Sequence, residues 1–312
     1  MLEKEVKLRE IISACGSACV GYSGGVDSVY LAKVAREVLG KDRMIAVLGV
    51  SASLPALQRD VALQCASAFD VPVVELPTDE MNDANYVANP SNRCYFCKSE
   101  LWTKLSAYAT QHGYAVVMDG THADDVSDHR PGMRAADEAA IRSPLLEANL
   151  TKAEIRQLSQ AAGLPTWDMP SAPCLSSRLA YGVSVTRERL QQVETAEERI
   201  RALGFREFRV RHHGDAARLE FAPTELDRAV ATGRRIYEEV ADLGFERILL
   251  DVEGYRRGAL NEGTQLVTLA RREASDIATV EATLADVSTV QSLVPELKAQ
   301  GYKFITIDLE LA

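Results

Sequence analysis

Residues 20–33 read VGYSGGVDSVYLAK. Gly24 and Gly25 allow a tight turn after an apolar strand and bring backbone N–H groups close to an anion. Ser23 and Ser28 add hydroxyl donors, and the helix that follows, opening near Asp27, points its N-terminus at the same place. The spacing is neither GxxxxGK[ST] nor GxGxxG. Asp27 makes sense here as a carboxylate that helps to hold a metal bridging a polyphosphate, because Mg2+ is usually bound by one or two carboxylates together with substrate phosphates.

Sulfur chemistry has three candidates. Cys94 and Cys97 stand in NRCYFCK (residues 92–98), and Cys174 stands in SAPCLSSRLAYG (residues 171–182). A guanidinium such as Arg178 and unpaired backbone N–H groups would lower a thiol from its usual pKa of about 8.5 and make Cys174 nucleophilic. For the CxxC pair the residues alone leave several readings open. It is a packing pair, a redox dithiol, a zinc site completed by His112, His122 or His129, or part of a reactive centre. Cys15, Cys19 and Cys65 lie among Ala, Val and Leu and read as buried core residues.

Two further stretches carry charge in chemically useful patterns. DGTHADDVSDHRPG (119–132) gathers Asp119, Asp124, Asp125, Asp128 and Arg130 after an apolar strand. Asp119, Gly120 and Thr121 are candidate nucleotide contacts, while Asp128 and Arg130 are placed to face a second substrate. In FRVRHHGDAARLEF (208–221), strand alternation puts Arg209, Arg211 and His213 on one face. Such a face is either a solvated edge or a guanidinium fork for phosphate, which Arg binds in bidentate geometry.

The elements that must position these residues follow from periodicity. Apolar strands at 19–22, 44–50, 71–76 and 114–118 alternate with helical patterns at 27–39, 55–69 and 97–112, which indicates parallel βαβ units with helices on both faces. Ligands in such sheets bind at the C-terminal ends of the strands, so segments 22–28 and 119–130 are expected to share one crevice. Thr151 with Glu154 reads as a capping box for a helix closed by Gly163. A proline-interrupted loop (164–182) then joins a second half, where helices at 187–203, 224–243 and 280–300 each run into glycine, an aromatic residue and an alternating strand. The expectation is an α/β doubly wound parallel sheet over residues 1–170, a smaller α+β domain over 171–263, and an extension over 264–312.

Bulk properties bound the function. The chain has 312 residues, enough for two domains. A net charge of -10 argues against tracking a nucleic-acid backbone. No apolar run approaches the roughly 20 residues that a membrane helix needs. The amphipathic N-terminus has no signal-peptide pattern, so a cytoplasmic protein with reduced thiols is expected.

SGGVDS after the first strand resembles the pyrophosphate loop of the N-type ATP pyrophosphatases, which cleave ATP between the α and β phosphates. NRCYFCK, MDGTHADDVSDHRPG, PCLSSRLAYG and RVRHHGDAARLE together resemble one subfamily, the LarE-type ATP-dependent sulfur transferases, from about residue 5 to about residue 263. The resemblance implies ATP and Mg2+ as ligands, and adenylylation of a carboxylate of pyridinium-3,5-biscarboxylic acid mononucleotide followed by sulfur transfer, in the biosynthesis of the lactate racemase nickel-pincer cofactor. It implies that Arg209 and Arg211, with Arg218 as a further candidate, bind the substrate phosphate, and that Glu197 and Glu220 match acidic positions near a metal; Arg178 is a further candidate substrate contact. It makes Cys174 the attacking cysteine, either sacrificed for its sulfur or joined to Cys94 and Cys97 on a [4Fe-4S] cluster with one open iron; three thiolates suit such a cluster when one iron stays accessible. A homo-oligomer and a sulfur-donor protein are implied partners. The rival readings are an amide-forming or tRNA-thiolating pyrophosphatase and a non-catalytic nucleotide- or metal-binding regulator.

Overall fold

Strands β1 (Ala18–Gly21), β2 (Met44–Val50), β3 (Val73–Pro77) and β4 (Val116–Met118) form one parallel sheet in the order β3-β2-β1-β4 in a computed structural model of the chain. The structure describes residues 3–127, 131–170, 173–255, 277–280 and 287–310. The chain divides into two compact units, Met1–Cys174 and Leu175–Ala312.

Strand order decides where the first unit binds ligands. The chain moves outward from β1 to β2 and β3, then returns to add β4 on the other side of β1. Connections from β1 and β4 therefore leave in opposite directions, and a crevice opens between them at the C-terminal ends of the strands. SGGVDS follows β1 and DGTHADD follows β4.

Helices cover both faces. On one side, α1 (Glu3–Ala14), α2 (Val26–Leu39) and α3 (Ala56–Ala68) bury Leu8, Ile12, Val29, Leu31 and Ala62 together with Val20 and Leu48 of the sheet. Ile155 of α8 (Lys152–Ala161) joins them after the short helices α4 (Ala84–Val87), α6 (Pro131–Glu138) and α7 (Pro144–Glu147). On the other side, α5 (Arg93–His112) packs Trp102, Leu105 and Ala109 on Cys19, Val47 and Val117. Each fully buried Leu or Val here contributes roughly 1.5–3 kcal/mol. Cys15, Cys19 and Cys65 are buried as expected, and the Thr151–Glu154 capping box is formed.

One boundary differs in a consequential way. Helix α5 begins at Arg93 instead of Cys97, because Asn92 already serves as its N-cap. Cys94 and Cys97 therefore both lie in its opening turns, on one face at i and i+3.

The second unit holds a mixed sheet in the order β5-β6-β7-β9-β8. After α9 (Arg187–Ala202), β5 (Phe208–His212) and β6 (Ala216–Phe221) form a hairpin around Gly214 at φ +91°. The helix expected over 224–243 is two helices, α10 (Pro223–Ala231) and α11 (Gly233–Val240). The break comes where the Thr232 hydroxyl turns back onto the Arg228 carbonyl at 2.8 Å and glycine follows. Strand β7 (Arg247–Asp251) pairs with β6 and with β9 (Phe304–Asp308), which also pairs with β8 (Ile277–Val280); α12 (Val287–Ala299) precedes β9. The helix expected from 280 thus starts at Val287, and residues 304–308 lie within the sheet.

Buried imidazoles give this unit a pH signature. Gly214 N–H donates to His212 Nδ1 (3.2 Å), so Nε2 carries the proton and donates to Gln192 Oε1 (3.0 Å). Burial first, then the charge of Arg189, pulls His212 down to about 4. The unfolded chain, with a pKa near the ordinary value of about 6.5, takes up the proton first, so this contribution to stability is lost as pH falls from about 6.5 to 4. His213 is depressed in the same direction, whereas Asp251, raised to about 6 by burial, works in the opposite one. In urea titrations at pH 7 and pH 4.5, His212→Gln is expected to lose about 2 kcal/mol less stability than the parent chain over that interval.

Candidate active site

The phosphate loop is braced before any ligand arrives. Gly24 has φ +73°, and a Cβ there would stand 2.8 Å from Ala62 Cβ and 2.9 Å from Gln58 Nε2. That same Gln58 amide donates to Ser23 O at 2.8 Å. Ser23 N–H donates to Ser28 Oγ at 3.1 Å, and Ser28 Oγ lies 3.1 Å from Gly25 O. Gly25, at φ −76°, is the N-cap of α2, and Ser23 Oγ is the nearest atom to a Cβ placed there, at 3.5 Å. A left-handed backbone and a clash both oppose Gly24→Ala, which is expected to cost about 1–3 kcal/mol in thermal melts and to weaken ATP binding.

Asp27 follows directly. Its Oδ2 accepts from Lys152 Nζ, at the start of α8. Its Oδ1 is buried without a hydrogen-bond partner, and His122 Nε2 lies 4.0 Å away. An orphaned buried carboxylate oxygen costs roughly 1–3 kcal/mol unless a ligand or cation completes it. A hard divalent cation carrying ATP phosphates fits that oxygen. Gly120 packs here too: a Cβ on it would come within 3.2 Å of both Asp27 Cβ and Ser28 N, so the two loops share one crevice. Asp119 organises its own loop, accepting from Thr121 N (3.1 Å), Thr121 Oγ1 (2.7 Å) and Ser143 Oγ (2.7 Å).

The three chemically interesting cysteines belong to this unit. Burial, followed by the charge of Cys174, pushes both Cys94 and Cys97 upward. Arg93, through a hydrogen bond and its charge, pulls Cys94 back; Glu80 pushes Cys97 further up. Cys94 is solvent-accessible even though desolvation dominates its thiol. Among the described residues no three His, Cys, Asp or Glu side chains converge as a single metal ion requires.

The second unit buries its arginines. Arg178 Nε and Nη2 form a fork with Glu197 Oε1 and Oε2 at 3.0 and 3.1 Å. Arg211 Nε donates to Glu220 Oε2 at 2.9 Å and its Nη1 to Ser177 O at 2.9 Å. Arg209 lies over the Tyr255 ring, 5.2 Å from its centroid, and its pKa is pulled down by burial and then by Arg178. Arg218 is fully buried, pairs with Asp251 and with Glu220, and stacks 3.4 Å above the Phe304 ring.

Comparisons with known proteins fit this geometry. Residues 2–118 match the NAD synthase family. An uncharacterized protein of Synechocystis is 43% identical over 264 residues, spanning 84% of this chain and 98% of that protein. The pyridinium-3,5-bisthiocarboxylic acid mononucleotide synthase of Lactiplantibacillus plantarum is 34% identical over 254 residues, 80% of this chain and 92% of that enzyme. The chain belongs to the LarE family of ATP-dependent sulfur transferases.

For this LarE-family chain, the structure brings Ser23 through Ser28 together with Asp119, Gly120 and Thr121. Asp128 and Arg130 lie outside the described residues. Arg209 and Arg211 do not form the exposed edge of a strand, because both faces of β5 are buried. Arg178 gives Nε and Nη2 to Glu197 and Nη1 to Ser177 Oγ. Lys152 and His122 were missed as Asp27 neighbours. A signal existed for Lys152: a cation in the first turn of a helix opposes the dipole and calls for a local reason. Arg93 and Glu80 carry no signal in the sequence, since only folding brings their charges to the cysteine pair. No helix among the described residues is long and apolar enough to cross a membrane.

Proposed function

We propose that this protein adenylylates a carboxylate of pyridinium-3,5-biscarboxylic acid mononucleotide with ATP and converts it to a thiocarboxylate. A free carboxylate is a poor electrophile, and AMP is a good leaving group. Ser23, Gly24, Gly25, Val26 and Ser28 cradle the phosphates. Asp27 Oδ1 would hold Mg2+, which would supply neutralisation of charge on the pyrophosphate, and Lys152 keeps the Asp27 carboxylate oriented. A substrate carboxylate oxygen attacks the α-phosphorus as the bond to pyrophosphate breaks; sulfur then attacks the acyl carbon and AMP leaves.

Cys94, Cys97 and Cys174 would hold a [4Fe-4S] cluster that supplies sulfide at its open iron. Arg209 and Arg211, assisted by Arg178, are the proposed ligands of the substrate phosphate, and Asp128 and Arg130 are further candidate substrate contacts. The protein works in the cytoplasm as a homo-oligomer supplied by a sulfur-donor protein. The observation that carries this reading is the buried Asp27 Oδ1 without a hydrogen-bond partner, set in the braced phosphate loop directly against Gly120. Anaerobic purification with iron and sulfide analysis, and mass spectrometry of the Cys174 peptide after turnover, tests it. About four irons with Cys174 intact supports the cluster route; dehydroalanine at position 174 without iron replaces it by the sacrificial one.

A further inference from the structure

Glu197 and Glu220 are the acidic residues that the family resemblance associates with a metal. We infer that neither is a metal ligand in this protein and that both are positioning residues for the arginines of the second unit. This rests on the proposed reading in which those arginines receive the substrate's phosphate.

The donor atoms are already used. Glu197 Oε1 accepts from Arg178 Nε and from Val210 N (3.3 Å), and Oε2 accepts from Arg178 Nη2. Glu220 Oε2 accepts from Arg211 Nε, and Oε1 lies 2.6 Å from Arg218 Nη2, an ion pair without the alignment of a good hydrogen bond. Glu197 and Glu220 are 5% and 1% exposed. A divalent cation would have to displace guanidiniums from buried carboxylates, which leaves buried charges uncompensated and is strongly unfavourable.

The register explains why the carboxylates are there. Across the β5–β6 hairpin, Arg209 faces Glu220 and Arg211 faces Arg218, while α9 brings Glu197 to the backbone of Val210. Guanidiniums packed this closely repel one another. Interleaved carboxylates hold them in fixed orientations, and a fixed fork loses less entropy when it closes on phosphate. Arg178, Arg209, Arg211 and Arg218 also outnumber Glu197, Glu220 and Asp251, so the local field favours an anion over a cation.

The test uses the full chain with Glu197→Gln and, separately, Glu220→Gln. Both substitutions keep side-chain shape, and melting curves check the fold. Binding of Mn2+ alone, followed by electron paramagnetic resonance, is expected to be the same in all three proteins, since the Asp27 site is untouched. Calorimetric affinity for inorganic phosphate is expected to fall about tenfold in each variant, and the KM for the mononucleotide to rise with kcat nearly unchanged. A fall is diagnostic, because removing a negative charge without loss of orientation would tighten anion binding.

A manganese site present in the parent and lost in either variant overturns the inference, as does phosphate affinity that rises or stays the same. If a Gln variant unfolds, Glu197→Asp takes its place: it keeps the charge and cannot reach the full fork, so positioning predicts the same loss of phosphate affinity with manganese binding unchanged, and phosphate affinity equal to the parent's overturns the inference. Absence of any phosphate or mononucleotide binding by the parent chain overturns the phosphate-site reading itself, while the manganese comparison still decides whether these carboxylates are ligands.

Discussion

Asp27→Asn is expected to lower ATP-dependent pyrophosphate release about 100- to 1,000-fold, equivalent to roughly 3–4 kcal/mol of transition-state stabilisation. Asparagine keeps the size of the side chain and one oxygen for Lys152 Nζ, so the fold is preserved. What disappears is the anionic Oδ1, buried and without a hydrogen-bond partner, where the phosphate-bridging cation is proposed to sit. Radiolabelled pyrophosphate exchange at saturating Mg2+ measures the loss. If exchange continues within a few-fold of the parent rate, Asp27 is not the metal ligand. Exchange restored by millimolar Mn2+ would instead point to weakened metal affinity at an otherwise intact loop.

Cys174→Ser is expected to abolish thiocarboxylate formation, by about 10,000-fold or more, while substrate-dependent pyrophosphate release persists. The two half-reactions separate because the phosphate loop stays intact, whereas serine provides neither transferable sulfur nor a good iron ligand. Pyrophosphate release and thiocarboxylate mass are read on the same samples. Full turnover by the serine variant without any thiocarboxylate in the parent or the variant would favour an amide-forming relative of the NAD synthases over a sulfur transferase. Cys94→Ser and Cys97→Ser sharpen the result: on the cluster route each lowers iron content, and on the sacrificial route each leaves one turnover intact.

Much of the first unit was legible because its signals are local. Glycines after an apolar strand, a serine on each side and a carboxylate within the loop have few uses besides a phosphate with its cation. The Thr151–Glu154 capping box was readable for the same reason, since cap chemistry spans one turn. The second unit was harder. Arginines alternating along a strand read as an exposed edge or a phosphate fork, and the structure buries both faces of that strand. The break at Thr232 was hidden because apolar periodicity continues across it.

The sequence by itself determined the phosphate loop, the doubly wound first unit and the three cysteines in question, because each depends on residue types a few positions apart. Only the tertiary structure decided which charges meet. Lys152 reaches Asp27 across 125 positions and Arg218 reaches Asp251 across 33. Glu197 and Glu220, which look like surface acids or metal ligands in the sequence, are committed to Arg178, Arg211 and Arg218. Electrostatic energy depends on distance and burial, and neither is written in the order of residues along the chain.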